Sequence, residues 1–141
     1  MNFKIFPALV LAAAVTLSAP VGLQAQSDDP AAERIPIMRS NGMVLRAAPR
    51  ASGDEAIAAA QTFVDNFAAL PALFEDPAFP GNTQPAAWDN FDAFVGIFDE
   101  ARQGAEAALA AAQAGDMNGY SAGIQTVAAT CSACHGPYRR Q

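Results

Sequence analysis

The chain has 141 residues, 52% of them apolar, and a net charge of −6 from eight basic and fourteen acidic side chains. That length fits one domain, and the acidic balance argues against nucleic acid or an anionic membrane as a partner. With two cysteines and one histidine in all, the chain cannot assemble the four N and S ligands usual at a structural zinc centre.

Residues 1–25 read as an export signal, to be set apart from the fold. Lys4 provides the positive start, Ala8 to Ala19 is apolar except for Thr16 and Ser18, and Pro20 and Gly22 interrupt it. Leu23-Gln24-Ala25 is the expected cleavage site. The apolar run is shorter than the ~20 residues that span a bilayer, so a signal is expected rather than a retained anchor. Residues 26–141 are then the mature domain. Without Lys4 it has seven arginines against fourteen carboxylates, a net charge of −7.

The body is alanine-rich, has no alternating run that reads as a strand and shows no internal repeat. Gln26 to Ala32 reads as a polar, flexible lead-in. A first helix is expected over Ile35 to Ala47, with Met38, Gly42 and Leu45 on one stripe and Asn41 beside them. Pro36 fits if the helix starts there; deeper inside it would disturb the hydrogen-bond ladder. Pro49, Ser52 and Gly53 make the next turn.

A second helix starts near Asp54 as N-cap, with Glu55 in its first turn. Ile57, Ala60, Val64 and Phe67 carry its stripe, with Phe63 alongside, and Leu70-Pro71 ends it. The connection from Glu75 to Pro85 is long for a compact domain, which suits a segment bordering a pocket. A third helix is expected from Pro85 to about Ala114. Its seam is Trp88, Phe91, Val95, Phe98, Ala101, Ala105, Ala108 and Ala112. The aromatic half of that seam predicts a wide end of the bundle, and the alanine half a tight one. Gly115-Asp116 closes this helix and caps a fourth, from Met117 to Tyr138. Met117, Tyr120, Ile124, Val127, Cys131 and Cys134 form its inward stripe. The expected fold is all-α, an antiparallel four-helix bundle.

The fourth helix ends in Cys131-Ser132-Ala133-Cys134-His135, which holds both cysteines and the one histidine. C-x-x-C-H is the attachment pattern of a c-type haem. Two thiols add across two vinyl groups, and the imidazole binds iron from one side. On a helix, Cys131, Cys134 and His135 share a face, and here that face continues the core stripe, so the haem is expected inside the bundle. A thioredoxin-type redox pair would call for a βαβ pattern, which is missing. A disulfide across two intervening residues would stabilise little. Haem joins C-x-x-C-H outside the cytoplasm, so signal and motif support each other.

Together these features resemble the class II c-type cytochromes, cytochrome c prime and its low-spin relatives. The resemblance covers essentially the whole mature chain and rests on the C-terminal position of the motif followed by Gly136-Pro137-Tyr138-Arg139. It extends to Leu70-Pro71-Ala72-Leu73-Phe74, to Pro85-Ala86-Ala87-Trp88 with Phe91 and Phe94, and to Arg34 through Gly42. It implies one covalent haem c per chain with His135 as proximal iron ligand. Met38 takes the family's distal position. Where a Met there binds iron, the haem is six-coordinate and suited to electron transfer; where the residue only packs, the iron is open to small gases such as nitric oxide and carbon monoxide. Met43 is the alternative if Pro36 shifts the register. Arg34 and Arg139 are expected at the haem propionates, and Phe74 and Trp88 beside the ring.

The leading expectation is a periplasmic electron carrier that meets redox partner proteins, with gas binding or nitric oxide buffering as the alternative. No catalytic residues are expected, since no second histidine stands ready as a distal acid–base group. After signal removal no membrane partner is expected, and a homodimer through the first two helices is possible by resemblance.

Overall fold

The computed structural model describes residues 28–140; the expected export signal lies outside the described residues. Five α-helices follow one another: α1 Pro30–Ala47, α2 Asp54–Ala69, α3 Ala86–Asp89, α4 Phe91–Gln113 and α5 Met117–Tyr138. The long helices α1, α2, α4 and α5 are the rods of an antiparallel four-helix bundle, and α3 is one turn leading into α4.

Helix α1 begins at Pro30, not near Ile35, so the expected lead-in is already helical at its last residues. Asp29 caps it, its Oδ1 accepting from Ala31 N at 2.9 Å, and Pro30 occupies the first turn, where its missing N–H costs nothing. Pro36 therefore lies inside the helix. It leaves the Ala32 carbonyl without its helical partner, and both residues are exposed, so the gap in the ladder is on the solvent side.

At α2 the cap is Gly53, with φ of 52°, and Asp54 is the first helical residue. Ala56, Ala60, Phe63 and Phe67 are its buried face, with Ile57 and Val64 at the edges. Asp54–Phe74 is long and apolar enough to cross a membrane by length and composition, but its aromatic side points into the bundle core.

The single third helix expected from the seam is broken at Asn90, whose backbone leaves the helical region at φ −142°, ψ 74°. Its side chain accepts from Ala93 N at 3.3 Å and starts α4 afresh. An Asn side chain that competes for backbone N–H groups favours such a restart. Along α4, Phe94, Phe98, Gly104 and the four seam alanines are buried, whereas Phe91 and Val95 are only partly so.

Helix α5 has the expected bounds. Asp116 Oδ1 accepts from Asn118 N and Gly119 N at 3.1 and 3.0 Å. Tyr120, Ile124, Val127 and Cys134 face inward, but Met117, expected among them, is exposed. The pairing of α4 with α5 is the most extensive in the bundle, and it is close where Gly123 of α5 faces Gly104 and Ala108 of α4. Helix α1 meets α2 and the 3-10 turn Pro71–Phe74, but stands off from α4 and α5. The bundle is thus tight at its alanine end and wide at its aromatic end.

Replacing Gly123 by Ala would place a Cβ 2.6 Å from the Gly104 carbonyl oxygen and 2.7 Å from Ala108 N. This overpacking should lower stability by about 1–3 kcal/mol in denaturant unfolding. Gly96→Ala, with nothing within 4 Å, should raise stability by up to about 1 kcal/mol.

Candidate functional site

The stripe that packs α5 into the core runs straight into the cysteine motif. Val127 and Cys134 are buried and Cys131 is half-buried, with its Sγ 3.7 Å from the Val127 carbonyl. Both thiols are free. Burial pushes both up from their ordinary pKa, and the neighbouring Cys131 adds to the rise at Cys134, which reaches about 11. A thioredoxin-type pair needs a lowered thiol pKa, and a zinc site needs thiolates; this environment favours neither. Among the described residues, no group of three or more His, Cys, Asp and Glu is placed to hold a metal ion by itself.

His135 follows on the same face and lines two adjoining cavities. It is open to them, yet enough protein surrounds it that desolvation lowers its pKa, with the nearby Arg139 charge adding to the effect. Both effects favour the uncharged imidazole, the form that binds a metal.

The larger cavity, about 630 Å³, lies where α1 stands off from α5. Arg34, Met38, Phe74, Phe94, Cys134, His135, Tyr138 and Arg139 are among its walls. The smaller, about 100 Å³, reaches deeper between Met38, Asn41, Phe63, Phe67, Phe98, Cys131 and His135. Met38, Cys134 and His135 belong to both, so the two form one slot from the bundle mouth to its core. Its size lies in the range of cofactor pockets, roughly 300–1,000 Å³. An apolar slot with two adjacent thiols and an imidazole has the donor set a c-type haem requires, and Met38 adds a thioether from α1.

The expected site residues fall into three groups. Met38 is half-buried and faces the slot from α1. Met43, the fallback, is 53% exposed and lines neither cavity. Phe74 borders the larger cavity. Trp88 does not; its Nε1 donates to the Phe74 carbonyl at 2.8 Å and braces that turn from behind. Arg139 reaches the slot differently from the way helical spacing suggests. Helix α5 ends at Tyr138, and Arg139 is extended at φ −106°, ψ 134°, paired with Thr83 in a short antiparallel bridge.

Arg34 lines the slot but is already heavily engaged. Its Nε donates to Leu73 O at 2.9 Å, Nη1 to Pro80 O at 3.2 Å and Thr83 Oγ1 at 3.4 Å, and Nη2 to Phe79 O at 2.6 Å. Its guanidinium carbon sits 4.0 Å over the Phe74 ring. Burial lowers its pKa, with Asp29 opposing the shift. Of five N–H donors, one on Nη2 is left for a propionate. The connection from Glu75 to Pro85 is thus a wall of the slot, held at one end by Arg34. At the other, Gln84 N donates to Tyr138 O at 2.7 Å and Arg140 N to Asn82 O at 2.8 Å.

Two wall residues lacked a site signal in the sequence. Thr83 is a lone polar residue in a loop, and Asn41 lay beside a stripe read as apolar. Tyr138 had one in the Tyr-Arg pair; its ring packs edge-on against Phe94 at 5.0 Å. Arg34→Met should lower stability by about 1.5–3 kcal/mol, because it strands carbonyls that now accept from a charged donor. Faster proteolysis within residues 75–85 should accompany the loss.

Comparison with known proteins agrees with this geometry. The family model described as Cytochrome C' matches residues 37–139. Cytochrome c-556 of Agrobacterium tumefaciens (strain II Chrys) is 39% identical over 87 residues, covering 60% of this chain and 70% of that protein. In fold, the chain is similar to cytochrome c' from Thermochromatium tepidum, with a TM-score of 0.71 at 21% identity over 79% of this chain and 95% of that one. It is similar also to a nitric oxide complex of a cytochrome c prime variant from Alcaligenes xylosoxidans. There the TM-score is 0.71 at 22% identity, over 82% of this chain and all of that one. The chain belongs to the cytochrome c' family, the class II c-type cytochromes, whose cofactor is a covalently bound haem c.

Proposed function

We propose that this protein is a periplasmic electron carrier. Cys131 and Cys134 hold the haem by thioether bonds, His135 is its proximal iron ligand and Met38 its distal one. The observation that carries this reading is that Met38 on α1 and His135 on α5 are both walls of both cavities. When bound, the group supplies a one-electron couple between ferric and ferrous iron, and a Met–His axial pair raises its potential. The protein's part is to bind, orient and tune it. The neutral His135 ring gives a nitrogen to the iron. Arg139 and the spare Nη2 hydrogen of Arg34, both at the larger cavity, would hold the propionates. Phe63, Phe67 and Phe98 keep water from the inner edge. On this reading the protein is a carrier and not an enzyme.

A second reading, reversible binding of small gases, is favoured by one observation. The inner cavity of about 100 Å³ adjoins Met38, so a thioether swung off the iron would leave room for a diatomic ligand. Met43, 53% accessible and lining neither cavity, gives α1 an apolar point on its outer side where two copies would pair. A dimer in sedimentation equilibrium is expected, and a monomer at all concentrations would contradict it.

An absorption spectrum tests the axial assignment. The ferrous protein should show sharp α and β bands that carbon monoxide leaves unchanged. Met38→Ala should keep its covalent haem, turn high-spin and bind carbon monoxide. A Met38→Ala spectrum identical to wild type would remove Met38 as ligand, and a wild-type spectrum that is high-spin and shifts with carbon monoxide would replace the carrier reading with the gas-binding one.

A further inference from the structure

At the smaller cavity, one buried polar side-chain atom has no partner. Asn41 is 7% exposed, and its Nδ2 is buried with no hydrogen-bond partner. Its other end is fixed: Oδ1 accepts from Asn66 Nδ2 at 2.7 Å, and Asn66 Nδ2 also reaches Ser40 Oγ at 3.2 Å. With the carbonyl tethered towards α2, the NH2 group is enclosed, without a partner, in the wall that Asn41 gives to the cavity. Most of the other walls, among them Phe63, Phe67, Phe98 and Val127, have no side-chain acceptor. The Thr130 hydroxyl donates to Val127 O on its own helix at 2.7 Å, and its oxygen receives no hydrogen bond from Asn41. A buried donor without an acceptor is rare in native proteins, and such groups generally mark a missing partner.

Met38 stands one turn before Asn41 on the same face of α1 and lines the same cavity. A thioether bound to iron through one sulfur lone pair keeps a second, which is a weak acceptor. We infer that Asn41 Nδ2 donates a hydrogen bond to the iron's sixth ligand, the Met38 Sδ, and so tunes the haem potential from the distal side. The inference rests on the axial assignment of Met38 proposed above. Hydrogen bonding around an axial ligand is one of the protein's levers on the potential. The sign follows from the dipole. An N–H pointing its positive end at the ligand draws electron density off the sulfur and disfavours the ferric charge, so it raises the potential. An amide turned the other way, carbonyl first, would lower it.

The test uses the haem-loaded protein. By voltammetry, Asn41→Leu should have a lower potential than wild type while remaining low-spin. An unchanged or higher potential would overturn the donor role. A measurement on wild type needs no variant. In ferrous protein labelled with 15N-asparagine, one side-chain amide pair should be shifted out of the usual range by the porphyrin ring current and slow to exchange. All such pairs in their usual positions would overturn the inference as well. If Met38→Ala fails to change the spin state, the axial reading itself falls. If Met38→Ala does change it and Asn41→Leu leaves the potential in place, only the role of Asn41 falls.

Discussion

Everything in this fold depends on one face of α5 serving two purposes. Tyr120, Ile124 and Val127 bury it against the bundle, and Cys134 continues the same stripe. A helix presents residues three and four apart on one side, so the attachment motif cannot point outward unless the core stripe does too. The haem is thereby assigned to the interior, and the other helices are arranged around that need. Helix α4 packs tightly on α5 only where glycine and alanine permit it, and α1 keeps its distance across the slot. The Tyr120 hydroxyl, donating to Ala48 O at 3.1 Å, ties the start of α5 to the far end of α1. The stand-off is thus a wedge that is closed at one end and open at the haem end.

The mouth of that wedge is held by charge as well as by packing. Arg34 is a buried cation with no buried carboxylate among its bonds; backbone carbonyls and the Phe74 ring share its charge. Hydrogen bonds to charged groups are about twice as strong as neutral ones, which suits a loop with no regular structure to stabilise it. Trp88 braces the same turn, and Phe74, Phe94 and Phe98 lie within 5.1–5.4 Å of one another, centroid to centroid. The larger cavity's wall is therefore an aromatic cluster on one side and a loop latched to α1 and the C-terminal residues on the other. This links His135 to α1 through few intervening contacts.

How much of this was readable from residues alone follows the kind of interaction involved. The bounds of α5 were legible because Asp116 is a side-chain cap and the apolar period is unbroken. The wide and tight ends were legible because aromatics and alanines separate along α4. The early start of α1 was missed because Asp29-Pro30, a good cap and first turn, sits in a polar stretch without a stripe. The break at Asn90 was missed because the apolar spacing carries across it. Arg139 was assigned a helical position, but pairing with Thr83 ends the helix first. Trp88 looked like a ring neighbour, and only the hydrogen bond to Phe74 shows it turned the other way. Engagement of Arg34 by loop carbonyls and the unmatched amide of Asn41 depend on contacts between segments far apart in sequence. No local pattern encodes those.

The claim on which the rest depends is that a single porphyrin is covalently joined to Cys131 and Cys134. The most direct measurement is the intact mass of the protein purified from a host competent in cytochrome maturation, taken after alkylation under denaturing conditions. The account predicts the mass of the mature chain plus one haem, with neither cysteine alkylated. The mass of the chain alone with both thiols alkylated would contradict it.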